Sequence, residues 1–121
     1  MKVAIGSDHG GYELKEAVKA HLIDQGIEVL DVGTQSLEPV DYPDFGKKVG
    51  HAVLDQKSDF GIAICGTGIG ISIAANKVKG VRAALIYDMH TAVLAKEHNN
   101  ANVIALGGRT TPAPLAIQMV D

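Results

Sequence analysis

Tryptophan is absent from this sequence, and aromatic residues make up only 4% of it. A 121-residue chain with so few large rings has to fill its core with Ile, Val, Leu and Ala. Cysteine occurs once, as Cys65. No internal disulfide can form, which suits a reducing compartment and leads us to expect a cytoplasmic protein. Basic residues are scattered and the net charge is -3, so there is no electrostatic footprint for nucleic acid. No apolar run approaches the roughly 20 residues that cross a bilayer. The apolar stretch in the N-terminal MKVAIGSDHGG is too short for a secretory signal. The shortages argue against a disulfide scaffold, a polyanion-binding groove and a membrane span.

What is present is ordinary in amount and regular in order. Apolar residues at 46% and charged residues at 21% describe a globular protein, and the length predicts a single domain. Short apolar, β-rich runs fall at 2–6, 27–32, 60–65, 81–86 and 102–106. Helical patterns lie between and after them, at 12–25, 43–55, 69–78, 89–98 and 112–120. In the first helix Leu14, Ala17, Val18 and Leu22 form one stripe, and Gly26 is a stop signal. In the second, Phe45, Val49, Ala52 and Val53 share a face, with Pro43 in the first turn. Asn99 and Asn100 close the fourth, and Pro112 and Pro114 open the last. Strict alternation of strand and helix predicts an open parallel α/β sheet, with apolar strands covered on both faces. The polar loop 33–42 is the longest, which fits either a binding loop or a plain surface loop.

Open parallel sheets bind ligands at the carboxyl ends of their strands. The residues there are Ser7, Asp8 and His9 after the first strand, Gly66, Thr67 and Gly68 after the third, and Gly107, Gly108 and Arg109 after the fifth. The second set, after the third strand, belongs to ICGTGIGIS, a strand–turn–helix whose glycines expose successive N–H groups ahead of a helix N-terminus. That arrangement can hold an anion or can be a mere tight turn. It is neither a Walker A loop nor a dinucleotide fingerprint. Cys65 at its lip is open to two readings, a small buried core residue or a thiol activated by the helix end. Asp8 and His9 offer an acceptor beside a titrating donor. No HxH or HxxxH pair and no Cys cluster is present, so no metal site is expected. His21 and His51, amid polar neighbours, are expected to be solvated. His98 fits a helix C-cap cation and Arg109 a surface charge, although a cation at a strand end also suits a phosphate. His98 and Asn99 close a helix that starts at the strand tips, so they belong at the far edge unless a second subunit contributes.

GSDHGG at 6–11, DYPDFG at 41–46, ICGTGIGISIAANK at 64–77 and EHNNANVIALGGR at 97–109 together resemble the type B ribose-5-phosphate isomerases, within the ribose/galactose sugar-phosphate isomerases. The likeness spans essentially the whole chain. It implies a three-layer α/β/α Rossmann-like sandwich with a five-stranded parallel sheet. It also implies a homodimer, in some members a tetramer, whose active site lies at the subunit interface, and that would bring His98 into a pocket. The implied reaction is cofactor-free interconversion of ribose 5-phosphate and ribulose 5-phosphate. By the resemblance Cys65 is the base that moves a proton between C2 and C1. Gly66, Gly68, Ile69 and Gly70 hold the enediolate, and Asn99 contacts the reacting sugar oxygens. His98 opens the sugar ring, helped by Asp8 and Thr67. His9 and Arg109 bind phosphate or sugar, and Tyr42 lines the pocket. Chains of this family run further, with a final helix and further arginines on phosphate. This sequence is therefore expected to be a single domain, 1–121, that ends before that basic tail and leans on Arg109 for the phosphate. A hexose-phosphate isomerase for allose 6-phosphate or galactose 6-phosphate shares this chemistry. Galactose-type chains tend to lack Asp-His-Gly-Gly or His-Asn, and both are here. A non-catalytic phosphate-binding module is a third reading, opposed by the joint presence of Cys65, His98 and Asp8.

Overall fold

The computed structural model describes residues 1–55 and 58–121. Strands β1 (Lys2–Ser7), β2 (Glu28–Gly33), β3 (Phe60–Cys65), β4 (Ala83–Leu85) and β5 (Val103–Gly107) alternate with helices α1 (Tyr12–Asp24), α2 (Tyr42–Leu54), α3 (Ile69–Asn76), α4 (Met89–Glu97) and α5 (Ala113–Val120). A short 3-10 turn, His9–Gly11, precedes α1. All strand pairs are parallel, in the order β2-β1-β3-β5-β4.

The pleat of the sheet sorts its side chains between two layers, because successive residues of a strand point to opposite faces. Val3 and Ile5, Ile62 and Ile64, and Ile104 and Leu106 pack with Leu14, Val18 and Leu22 of α1, Ala95 of α4, and Ala116 and Met119 of α5. Ala63, Cys65, Val103 and Ala105 pack on the other side with Val49 of α2 and Ile71 and Ala75 of α3. The α/β/α sandwich with a five-stranded parallel sheet is therefore as expected. The side chain of Cys65 belongs to the α2–α3 layer.

Helix ends follow local chemistry. Gly26 takes a φ of 78° directly after α1, and Asn100 a φ of 48° beyond α4, conformations that glycine and asparagine tolerate best. Asp88 and Thr91 form a reciprocal capping box at the start of α4, which satisfies otherwise orphaned N–H groups. Among the described residues no helix is long and apolar enough to cross a membrane.

Three expectations need correction. β4 runs only from Ala83 to Leu85, because the Arg82 N–H goes to Asn102 Oδ1 and Ala83 exchanges two hydrogen bonds with the Asn76 amide instead of extending a ladder. On α1 the buried positions are Leu14, Lys15, Val18 and Leu22, and Ala17 is only half-buried. The expected face of α2 forms, with Val49 and Ala52 buried, Phe45 and Val53 packed against the same core, and Gly46 and Gly50 also inside. His21 is not free in solvent, because its Nε2 lies 2.7 Å from Asp121 Oδ1.

Candidate active site

The strand order reverses between β1, which leads through α1 to β2 on one side, and β3, which leads through α3 toward β4 on the other. A crevice opens outside the carboxyl edge at such a switch point. Asp8 and His9 leave β1 there, and Cys65 ends β3 there.

Main-chain bonds tie the loops of this edge together. The Asp8 N–H donates to Ile64 O (3.2 Å), the Gly108 N–H to Cys65 O (2.7 Å) and the Arg109 N–H to Gly66 O (2.8 Å). The backbones also touch. A Cβ placed on Gly10 would lie 3.1 Å from Gly66 N and 3.3 Å from Arg109 Cζ, and one on Gly108 would lie 2.5 Å from Gly10 O. The Arg109 guanidinium thus stands over Gly10 and Gly66, and it makes no ion pair among the described residues.

Cys65 is only 5% exposed, and its Sγ accepts the Gly68 N–H at 3.1 Å. The positive end of a peptide dipole therefore points at the sulfur. Gly68 is the N-cap of α3 with φ 82°, the turn that aims its N–H back at Cys65. The Ile69 N–H goes to Thr67 Oγ1 at 3.3 Å. Gly70 and Ile71 belong to the first turn, whose N–H groups lack helical acceptors. A Cβ on Gly70 would stand 2.7 Å from Tyr42 Cε1, so the Tyr42 ring lies against this turn. Cys65 is thus buried and also lies beside the N–H-rich turn that opens α3.

Asp8 is 7% exposed, and its Oδ1 accepts the Gly11 N–H at 3.1 Å. That bond caps the turn carrying His9. The His9 Nδ1 accepts the Val40 N–H at 3.1 Å. A neutral imidazole with a donor on Nδ1 carries its own proton on Nε2. Val40 lies in the long loop after β2, so that loop is brought to the site.

His98 and Asn99 are placed differently. His98 is the exposed C-cap of α4, and Asn99 follows it ahead of β5. β5 then runs from Val103 to Gly107, which pairs with Cys65. That climb alone separates the two edges by about 13 Å. One chain gathers Asp8, His9, Tyr42, Cys65, Gly66, Thr67, Gly68, Ile69, Gly70 and Arg109, and it does not bring His98 or Asn99 to them.

A buried ion pair escaped sequence reasoning. Lys15 Nζ is fully buried and lies 2.6 Å from Asp31 Oδ2, with Lys19 Nζ at 3.0 Å from the same oxygen. Asp31 Oδ1 accepts the Gly33 N–H at 2.9 Å. Burial pushes the Asp31 carboxyl up, but the hydrogen bonds from Lys15, Gly33 and Lys19 outweigh it and hold the group below its ordinary range. Lys19 is raised above the usual lysine value, chiefly by its hydrogen bond to Asp31. The available signal was a lysine flanking the apolar stripe of α1 and an aspartate inside an apolar strand, each of which calls for a buried partner.

Among the described residues no three His, Cys, Asp or Glu side chains gather as a metal site. A groove of about 790 Å3, lined by Leu22, Ile62, Ile86, Met89, Val93 and Met119 among others, lies in the α1–α4–α5 layer and contains none of the groups named above.

Residues 3–121 match the family described as Ribose/Galactose Isomerase. The chain is 55% identical to ribose-5-phosphate isomerase B of Clostridium thermocellum, covering 100% of this chain and 82% of that one with a TM-score of 0.99. It is 43% identical to ribose-5-phosphate isomerase B of Mycoplasma genitalium, solved with bound ribulose-5-phosphate, covering 99% and 80% with a TM-score of 0.93. It is also 46% identical to galactose-6-phosphate isomerase subunit LacB of Clostridium acetobutylicum, over 100% of this chain and 70% of that protein.

Proposed function

This chain belongs to the ribose/galactose isomerase family, and from that premise we propose that it interconverts ribose 5-phosphate and ribulose 5-phosphate through an enediolate, without a cofactor. Cys65 is the base. The observation that carries this reading is the Gly68 N–H on Cys65 Sγ at the carboxyl edge. It pairs a group able to take a proton with donors able to hold the charge that results.

The sugar is mostly a closed ring in water, so the reaction begins by protonating the ring oxygen as the anomeric hydroxyl gives up its proton. His9 at the chain's own carboxyl edge is given to the phosphate, and His98 of a second copy supplies this proton. Two chains then complete each site, as a homodimer or a pair of dimers, with Asn99 of that second copy on the sugar oxygens. Cys65 next removes the proton on C2. The C1–C2 bond becomes double and O1 takes the charge, which the N–H groups of Gly66 to Gly70 stabilise. The thiol returns its proton to C1 while the proton of the C2 hydroxyl passes to O1, giving the ketone at C2 and a hydroxyl at C1. Losing one preorganised donor of this kind costs about 3–4 kcal/mol of barrier. Asp8 and Thr67 assist ring opening. Arg109 and His9 hold the phosphate, which positions a flexible chain for reaction, and the Tyr42 ring walls the pocket. A cytoplasmic place for the reaction fits the single free cysteine.

The test is formation of ribulose 5-phosphate by the purified chain, with Cys65→Ala alongside. Losing a positioned proton-transfer group lowers kcat by about 10²–10⁴. Native activity in the variant would remove Cys65 as base. A second reading, a hexose-phosphate isomerase, is favoured by the likeness to LacB. Turnover of galactose 6-phosphate or allose 6-phosphate but not of ribose 5-phosphate would select it, and binding without any turnover would select a phosphate-binding module.

A further inference from the structure

The loop of residues 34–41 leaves β2 at the carboxyl edge and returns as α2. Its middle, Gln35 to Pro39, is exposed, so its course depends on bonds at the two ends. At the far end the Val40 N–H meets His9 Nδ1 at 3.1 Å. At the near end the Thr34 N–H donates to Ser7 O at 2.8 Å. Asp31 Oδ1 holds the Gly33 N–H at 2.9 Å and the Gln35 side chain at 3.4 Å. The β1–β2 register slips at this point, since Ile5 pairs with Asp31 but Gly6 with Gly33. The near anchor is therefore shared between the main-chain bond from Thr34 to Ser7 and the Asp31 side chain, which takes the Gly33 N–H where the register slips. Asp31 is itself held by Lys15, whose Nζ is fully buried, 2.6 Å away, and stacked 5.3 Å from the Tyr12 ring. Tyr12 opens α1 immediately after the turn that carries His9.

We propose that the buried Lys15–Asp31 pair is a positioning device for His9. Through Gly33 and the 34–41 loop it keeps the Val40 N–H on Nδ1, so that the ring presents Nε2–H as its donor to a bound sugar phosphate. Without that loop in place, neutral His9 divides between two tautomers, one of which offers an acceptor where a phosphate oxygen needs a donor. The proposal rests on the isomerase reading only in taking His9 as a sugar-phosphate contact.

The test uses 15N-histidine-labelled protein, with His9 read by long-range proton–nitrogen spectra and the Val40 amide by hydrogen exchange. The native chain shows a single Nε2–H tautomer and a protected Val40 amide; a mixed tautomer there overturns the proposal outright. Lys15→Met/Asp31→Leu replaces the ion pair with apolar side chains, a change that buried pairs often tolerate. In that variant His9 shows both tautomers and Val40 exchanges faster. KM for ribose 5-phosphate rises about two- to tenfold, the worth of one hydrogen bond, with kcat little changed. Lys15→Met/Asp31→Asn keeps a carbonyl oxygen for the Gly33 N–H and returns both spectroscopic readouts to native. If the leucine variant does not fold, Lys15→Met/Asp31→Ser, too short to reach Gly33, takes its place in the same comparison. Unchanged His9 and Val40 signals in the folded variant, or equal behaviour of the variants with and without the acceptor, would refute the device. An inactive native chain would instead sink the isomerase reading and leave the spectra decisive for this one.

Discussion

Gly68→Ala puts one methyl group into the tightest corner of the site. The backbone there has φ 82°, a conformation that costs a residue with a Cβ about 1–2 kcal/mol. The new Cβ would stand 2.6 Å from Leu85 Cδ1, 2.9 Å from Leu106 C and 3.0 Å from Leu106 O. The leucine side chain can turn away, but Leu106 is backbone of β5, which is hydrogen-bonded on both sides. The loop must give instead, and overpacking of this kind costs about 1–3 kcal/mol. The two costs together are about 2–5 kcal/mol. Gly26 supplies the control, since it has φ 78° but nothing within 4 Å of its would-be Cβ. Gly26→Ala therefore bears the conformational cost alone, and the difference between the variants isolates the clash. Thermal melts followed by circular dichroism read this difference, at about 3–6 °C per kcal/mol for a domain of this size. Moving the loop also draws the Gly68 N–H from Cys65 Sγ, so kcat falls by about 10²–10³, the effect of losing one charge-stabilising donor. Equal melting temperatures for the two variants would refute the steric reasoning. A destabilised Gly68→Ala enzyme with native kcat would refute the role given to its N–H.

Mixing the separately inactive Cys65→Ala and His98→Ala chains should restore about a quarter of native activity. With random pairing half of the dimers are mixed, and each mixed dimer regains one intact site of two. No recovery after subunit exchange would place both residues in one chain's site. Acid stability should report Asp31, whose carboxyl is held below its ordinary range. The stabilisation is fully present above the unfolded value near pH 4 and is lost as pH falls through the lower folded value. Urea midpoints should fall more steeply with acid in the native chain than in Lys15→Met/Asp31→Asn, and parallel curves would remove the assignment. Lys19, raised from 10.5, works in the opposite sense. Its contribution is present below that value and is lost as pH rises through the higher folded one, so Lys19→Met should flatten the alkaline limb.

Local chemistry determined a good deal. FGIAIC reads as a strand covered on both faces because it is apolar throughout, and it forms β3 at the positions expected. The glycines after it announce a turn that no side chain should fill, and the turn at Gly68 has the positive φ such a signal requires. The sequence by itself therefore located Cys65 at a strand end beside N–H donors, and it set His98 at the far end of a helix that starts at the strand tips. These are short-range properties, written in periodicity and in the conformational limits of glycine, proline and asparagine.

Only the tertiary structure decided which ends meet. The order β2-β1-β3-β5-β4 sets β1 beside β3 and so joins Asp8 and His9 to Cys65. Local patterns leave that order open, because β1, β3 and β5 are alike in apolar character and none names its neighbour. The bond from Val40 to His9 spans 31 positions and that from Lys15 to Asp31 spans 16. In the sequence these are a loop residue and two charges of no evident relation. Folding relates them because burial penalises an unpaired charge, and Lys15 meets Asp31 where β2 enters the loop that reaches His9.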